Sequence, residues 1–320
     1  MNQIYIITFL CHIPICISQD ISECRKQRAN AKYLLESGQS LIDKGYFHDA
    51  INCLEFAAAH VRKKSDWKSP QSFKIHFLLA LASLEAGELN KSASTINAIE
   101  AAGLKLNNDC WMIRCSIYDR RHEYQSAGLC YLEAGKEGVD IAYGFAGSAF
   151  TRAGNISASA AAYRRAIDKN PQDSTVLLNY GAVLRRLRRY KEAESVYSRA
   201  TAARPTHAGA HLGLGKVLFD KGSFNSSMVA FRTAWKLCTT TRGAKSPAAC
   251  PPAHGCEAGL GLARSLQRQR RNDSSVRQYE AALSGPCGAV NSSADAGGRR
   301  LLAQVHGSLA GEPPPPGCCV

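Results

Sequence analysis

Four cysteines and a histidine crowd one proline-rich stretch, and they are the residues of this 320-residue chain best placed to do chemistry. Cys238, Cys250, Cys256 and Cys287 surround Pro247, Pro251 and Pro252, with His254 among them. A disulfide there would staple an irregular segment, whereas three thiolates and an imidazole would hold zinc. No Cys-X-X-Cys pair is present, so the zinc alternative is disfavoured and no metal is expected. Cys53, Cys115 and Cys130 stand where a packed helix needs a small residue, and are expected to be plain core thiols. The nine histidines are otherwise scattered. No His-Glu-X-X-His, Walker loop or Gly-X-Ser-X-Gly occurs, and no Gly-X-Gly-X-X-Gly follows a strand pattern. The chain therefore reads as non-enzymatic, with no cofactor.

Five Asn-X-Ser sequons occur, at Asn90, Asn155, Asn225, Asn272 and Asn291. In a secreted protein they would be glycan acceptors. Turn chemistry offers a competing account for the first four, with Asn at the bend and Ser capping the following helix. The N-terminus bears on that choice. Ile4 to Leu10 is apolar, the run continues through Ile13, Ile15 and Ile17, and Cys16 and Ser18 suit cleavage after Ser18. Residues 1–18 are thus expected to be a signal peptide. The n-region has no Lys or Arg, which leaves an uncleaved anchor or a mis-assigned start, and with it a cytoplasmic protein, as alternatives. Removing Cys11 and Cys16 would leave eleven cysteines, so at least one thiol would be free or intermolecular. The terminal Gly317-Cys318-Cys319-Val320 is no prenylation box, because its first residue is glycine.

Charge is uneven along the chain. Residues 1–140 carry 16 basic and 16 acidic side chains, and residues 141–320 carry 24 and 10, so the whole net charge of +14 lies in the second part. An electrostatic partner should meet that part. At about 150 residues per domain the length suggests two domains. No run of about 18 apolar residues follows the N-terminus, which excludes an internal helical membrane span.

The elements that position these residues announce themselves by period. Between positions 71 and 246 there are only two prolines, Pro171 and Pro205, 34 residues apart. Gly147, Gly181 and Gly215 keep the same step, as do Tyr163, Tyr197 and Phe231, and Ala166, Ala200 and Ala234. A 34-residue period marks a repeated helical hairpin. Within 174–206, Leu177, Tyr180, Leu184 and Leu187 define a first helix. Arg188, Arg189 and Tyr190 turn the chain, and Ala193, Val196, Tyr197 and Ala200 form the inner stripe of a second. Gly181 and Ala193 are small where the helices approach, and Pro205 stops the second helix. One hairpin cannot bury both faces, so stacking is obligatory.

This pattern resembles the tetratricopeptide repeat (TPR), most specifically over 140–241. It appears as Leu177, Tyr180-Gly181, Leu184, Ala193, Tyr197, Ala200 and Pro205. The preceding copy has Tyr143, Ala146-Gly147, Phe150, Ser159, Tyr163, Ala166 and Pro171. The following one has His211, Leu214-Gly215, Leu218, Ser227, Phe231 and Ala234. The resemblance implies an all-α solenoid, a right-handed superhelix of repeats at 31–64, 73–106, 108–139, 140–173, 174–207 and 208–241. An insert at 65–72 contains Pro70, residues 242–255 form a Pro-rich linker, 256–287 a degenerate seventh hairpin, and 288–320 a flexible tail.

In that family the concave wall is built from the first helix of each hairpin. The early hairpins place Leu35, Ile42, Phe77, Leu81, Leu84 and Met112 there; the later ones place Arg152, Leu178, Arg185, Arg186, Leu212, Lys216, Phe219, Arg264 and Arg268. The wall would be apolar at one end and basic at the other, suiting an extended peptide with hydrophobic and then acidic side chains. A competing account makes Arg185 to Arg189 merely a solvated turn. Two family specialisations fail residue by residue. A chaperone-tail carboxylate clamp finds Leu35, Gln39, Leu78, Asp109 and Ile113, or Gly144, Ser148, Asn179, Gly209 and Gly213, with Asn179 the one match. An asparagine ladder likewise finds only Asn179.

Residues 18–60, through Tyr33-Leu34-Leu35-Glu36-Ser37-Gly38, Gly45 and Asp49-Ala50, resemble the opening of ER-luminal co-chaperones that carry TPRs before a J-domain. No His-Pro-Asp tripeptide exists, so stimulation of an ATPase cannot carry over, whereas client holding can. The expectation is a non-enzymatic scaffold holding an extended polypeptide in the endoplasmic reticulum lumen. Its rivals are a cytosolic or nuclear adaptor whose basic part binds RNA or an acidic partner, and a regulatory portion of a larger enzyme assembly. No aromatic platform stands beside the basic residues, which counts against single-stranded nucleic acid.

Overall fold

The computed structural model describes residues 24, 30–63, 69–240 and 252–268. Among them are thirteen helices and no strand. The chain divides into two compact units, residues 1–139 and 140–320. The signal segment, residues 269–287 of the seventh hairpin and the tail lie outside the described residues.

The first unit holds three hairpins: α1 (Ala31–Asp43) with α2 (Phe47–Lys63), α3 (Pro70–Glu85) with α4 (Leu89–Ala101), and α5 (Asn108–Arg120) with α6 (Tyr124–Lys136). Each helix packs on the next, and first helices also touch one another, α1 on α3 and α3 on α5. Leu34, Leu54, Ile75 and Leu79 form one core and Ile96, Ile99, Ile113 and Ile117 another; Phe77 packs against both. The second unit holds α7 (Ala142–Arg152) with α8 (Ile156–Lys169), α9 (Ser174–Arg186) with α10 (Tyr190–Ala203), α11 (Ala208–Asp220) with α12 (Phe224–Thr240), and then α13 (Pro252–Arg268). Its core runs through Tyr163, Leu177, Leu184 and Tyr197 to Leu212, Phe231 and Leu262.

Close approach inside each hairpin follows from the glycines. A Cβ on Gly147 would stand 2.7 Å from the ring of Tyr163, and one on Gly181 2.7–2.9 Å from that of Tyr197. Gly215 lies equally close to Phe231. Tyr197 and Phe231 also abut a second glycine each, Gly213 and Gly261, on the first helix that follows. A further contact recurs twelve residues on: Ser92, Ser159 and Ser227 donate their hydroxyls to the carbonyls of Ala80, Gly147 and Gly215 at 2.8, 2.8 and 3.1 Å. A serine at this position therefore satisfies itself inside the hairpin rather than facing water.

Turns and caps explain the helix ends. Asn30, Ser69, Asn107, Asn155 and Asp173 each accept a backbone N–H of the first turn, filling a donor the helix leaves open. Between first and second helices one residue takes a left-handed conformation: Gly45, Gly87, Gly154 and Gly222 in four hairpins, but His122 and Arg188 in the others.

Four expectations are corrected. Cys53, Cys115 and Cys130 are not free core thiols: Cys24–Cys53 and Cys115–Cys130 are disulfides, with Cα atoms 5.6 and 5.3 Å apart. The small-residue positions that suit a thiol are also those where two backbones come within disulfide reach. Pro70 does not sit in an insert; it is the first residue of α3 behind the Ser69 cap, where a missing N–H costs nothing. The linker is shorter than expected, because α13 already begins at Pro252. The second-helix serines are not caps: Asn155 itself caps α8, while Ser92 and Ser227 turn inward.

Two outcomes follow for stability. Gly181→Leu should cost roughly 2–4 kcal/mol, because the side chain must displace Tyr197; urea unfolding that barely changes would refute the packing. Arg188→Gly should raise stability by roughly 0.5–1 kcal/mol, since a non-glycine residue pays to stand at φ +57°. The same titration measures it, and a loss would mean that the arginine side chain holds the turn.

Candidate functional site

The first-helix faces are where the sequence places ligand contacts, and each unit presents its own. In the first unit a groove of about 620 Å3 runs between α1 and α3. Leu35 forms part of its lining, with Lys32, Glu36, Asp43, Pro70 and Lys74 around it. Charges of both signs thus rim a surface expected to be apolar. Leu35 is 8% exposed and belongs to the core, so it offers an edge rather than a full side chain. Phe77 and Leu81 are half-buried and spend part of their surface packing on the cores beneath them. Met112 is half-buried on α5, Ile42 packs against the first core, and Leu84 is buried.

In the second unit the expected basic surface is partly neutralised by its own neighbours. Arg185 donates from Nε to Asp220 Oδ2 at 2.6 Å, and Lys216 Nζ donates to Glu257 Oε2 at 2.5 Å. Arg152, Arg186, Arg264 and Arg268 are exposed. Leu212 is a correction: it is buried at 4% exposure, in the core with Phe231 and Leu262, because the chain turns this helix face onto the next hairpin. Leu178 is half-buried, and Phe219 stands edge-to-face against Phe224 at 5.4 Å.

Several residues escaped the sequence reading. Ile141 and Phe145, one turn apart at the start of α7, are 67% and 47% exposed. Asp220 and Glu257 were missed as the partners that cancel two of the basic groups. In the first unit Arg120 makes the equivalent bridge to Glu85 at 2.7 Å, donating also to the carbonyl of Leu84. Arg120–Glu85 and Arg185–Asp220 are each 35 residues apart. Comparing neighbouring repeats at equivalent positions, rather than reading along one helix, would have revealed them.

The chemistry of the cysteines is now constrained. Cys238 is disulfide-bonded, which removes a thiolate from the zinc alternative; Cys250, Cys287 and the Cys256 side chain lie outside the described residues. Among the described residues no group of three metal-binding side chains gathers. Cys110 is free and buried, and burial pushes its thiol up to about 11, so it is an inert thiol at neutral pH.

The family profile of the tetratricopeptide repeat matches residues 35–103, 146–208 and 183–234. The chain belongs to the tetratricopeptide-repeat family. TPR folds of this type are typically non-catalytic protein-interaction scaffolds. Among solved structures, the chain is similar to the C-terminal part of a TPR repeat-containing protein from Cytophaga hutchinsonii, at 15% identity and a TM-score of 0.63. That match covers 78% of this chain and 94% of the other. A tetratricopeptide repeat protein from Parabacteroides merdae matches at 15% identity and a TM-score of 0.51, covering 86% and 98%. At such identities the likeness is one of fold. No curated protein matches the sequence. No described helix of this TPR chain is long and apolar enough to cross a membrane.

One titratable group has a defined structural task. His207 caps α11 in this TPR unit: its Nδ1 accepts the Ala210 N–H at 3.2 Å. Burial, then the neighbouring Arg204, His254 and His211, hold its pKa below the ordinary 6.5. The unfolded chain therefore takes up this proton first, so the folded state loses stability as pH falls below 6.5. A protonated ring cannot accept the capping bond. His207→Asn keeps an acceptor without a titrating ring and should flatten part of this loss. Thermal midpoints at about pH 7.5 and about pH 5.5 measure it; equal losses in both proteins would remove His207 from the account.

Proposed function

We propose that this protein is a non-enzymatic scaffold that holds an extended polypeptide against its first-helix faces, acting as a holdase in the secretory pathway. The observation that carries the location is the pair of disulfides in the first unit, joined by a disulfide-bonded Cys238. Cytosolic thiols are kept reduced, so structural disulfides in an ordinary cell belong to an oxidising compartment. The apolar segment at Ile4 to Leu10 is consistent with that address.

What the faces can hold follows from their chemistry. The groove at Leu35 pairs a small apolar lining with Lys32 and Lys74 on one hand and Glu36 and Asp43 on the other. Such a surface favours segments of mixed polarity over purely hydrophobic ones. In the second unit Arg185 and Lys216 are paired internally, and the exposed Arg186 and Arg264 are the groups offered to an acidic stretch. Acidic preference is accordingly carried by fewer residues than the net charge of +14 implies.

The test uses the full chain and a reduced, carboxymethylated model client in biolayer interferometry at two salt concentrations. Phe77→Ala with Leu81→Ala should speed dissociation several-fold, because buried apolar contact is lost; circular dichroism of the same variant separates this from simple unfolding, and the half-buried Met112→Ala tests the same face on α5. Arg186→Glu with Arg264→Glu should slow association and weaken its salt dependence. If every variant that folds binds the client normally, the faces are not the site. If the arginine variant instead loses RNA in filter binding, the nucleic-acid adaptor is the better reading.

A further inference from the structure

Three sequons lie among the described residues, and the structure separates the explanations that the sequence left side by side. Asn90-Lys91-Ser92 starts in the first turn of α4, Asn225-Ser226-Ser227 in the first turn of α12, and Asn155-Ile156-Ser157 at the cap of α8. All three asparagines are exposed. Only Asn155 is explained by capping. Asn90 and Asn225 stand inside helices, where asparagine is a poor helix former. Their serines have a structural reason to be there, the bonds to Ala80 and Gly215 carbonyls.

We propose that Asn90, Asn155 and Asn225 are acceptors for N-linked oligosaccharide, and that Asn90 and Asn225 accept it only before their hairpins close. This rests on the secretory reading above. The donor class is an oligosaccharide on a polyprenyl pyrophosphate. The amide Nδ2 forms a bond to the sugar C1, the C1–O bond to pyrophosphate breaks, the lipid pyrophosphate leaves, and the amide gives up one proton. The contacts recorded at two of the sites spare that nitrogen: Asn155 Oδ1 accepts the Ala158 N–H at 3.2 Å, and Asn90 Oδ1 accepts Arg121 Nη2 at 2.7 Å. A sugar on Nδ2 leaves both carbonyl bonds in place. All three asparagines also stand at the start of second helices, none on a first-helix face.

The order of events comes from the serines. Transfer needs the hydroxyl two residues on to lie against the amide in an unconstrained loop. Ser92 and Ser227 are fully buried, and each hydroxyl is committed to a carbonyl of the first helix. In the folded chain neither is available. Ser157 is exposed, and Asn155 is still non-helical at φ −84° and ψ 77°. Asn155 thus stays reachable after folding, whereas the other two must be reached during synthesis.

Full-length chain translated with endoplasmic-reticulum microsomes tests both halves. Asn272→Gln and Asn291→Gln form the background, and single-sequon chains carry Asn90→Gln, Asn225→Gln or the cap-preserving Asn155→Asp at the remaining positions. Import is read by protease protection, and modification by an endoglycosidase-sensitive mobility shift. Each single-sequon chain should gain one glycan. Protected but unshifted chains overturn the proposal and leave the secretory reading standing; unprotected chains overturn both. In a second arm the folded, unmodified chain meets oligosaccharyltransferase and lipid-linked donor, and intact mass should rise only where Asn155 is kept. Equal modification of folded Asn90 or Asn225 chains would overturn the proposed order.

Discussion

An aromatic ring lying on a glycine is the contact on which the second unit depends. Tyr197 touches Gly181 in its own hairpin and Gly213 in the next, and Phe231 does the same with Gly215 and Gly261. One side chain therefore closes a hairpin and also seats the following one. The 34-residue period is a consequence: the ring and both glycines must recur in step, or the helices separate and the core opens. The serine bond twelve residues downstream of the glycine position belongs to the same constraint, since it forms only where the helices are close enough for a hydroxyl to reach a backbone carbonyl.

The first unit meets the same requirement differently. Leu54, an aliphatic side chain, sits over Gly38 where the later hairpins use a ring. Its hairpins depart more from the repeat pattern, and here two disulfides lie, Cys24–Cys53 beside Leu54 in sequence and Cys115–Cys130 across α5 and α6. Covalent closure restricts the unfolded chain as well as holding the folded one. Weak repeat consensus and these two cross-links thus fall in the same part of the molecule, while Cys238 in the second unit is disulfide-bonded as well.

Register, turns and the small-residue positions were legible in the sequence because each is dictated by neighbours inside one hairpin. The misses share a different origin. Cys53, Cys115 and Cys130 occupy positions that suit a small core residue and a cross-link equally, and composition does not separate the two. Leu212 lies at a face position yet packs against α13, which already begins at Pro252 within the Pro-rich stretch. Asp220 and Glu257 lie in repeats adjacent to the bases they neutralise. In each case the deciding partner lies on another helix, in the same hairpin for Cys115 and Cys130, so reading along a single helix could not supply it.

That same geometry limits what net charge says about binding. Stacked repeats bring equivalent positions side by side, so a base on one first helix meets whatever the next repeat offers there. Arg185 and Lys216 meet carboxylates, whereas Arg186, one residue along, stays exposed. A basic array is consequently not one continuous field but a set of separate charges left over after internal pairing, each in partial solvent and screened over about 10 Å at ordinary ionic strength. A ligand for such a face has to match the spacing of the leftover charges, and an extended chain, whose side chains recur every few ångströms, can adjust to that spacing more readily than a rigid surface.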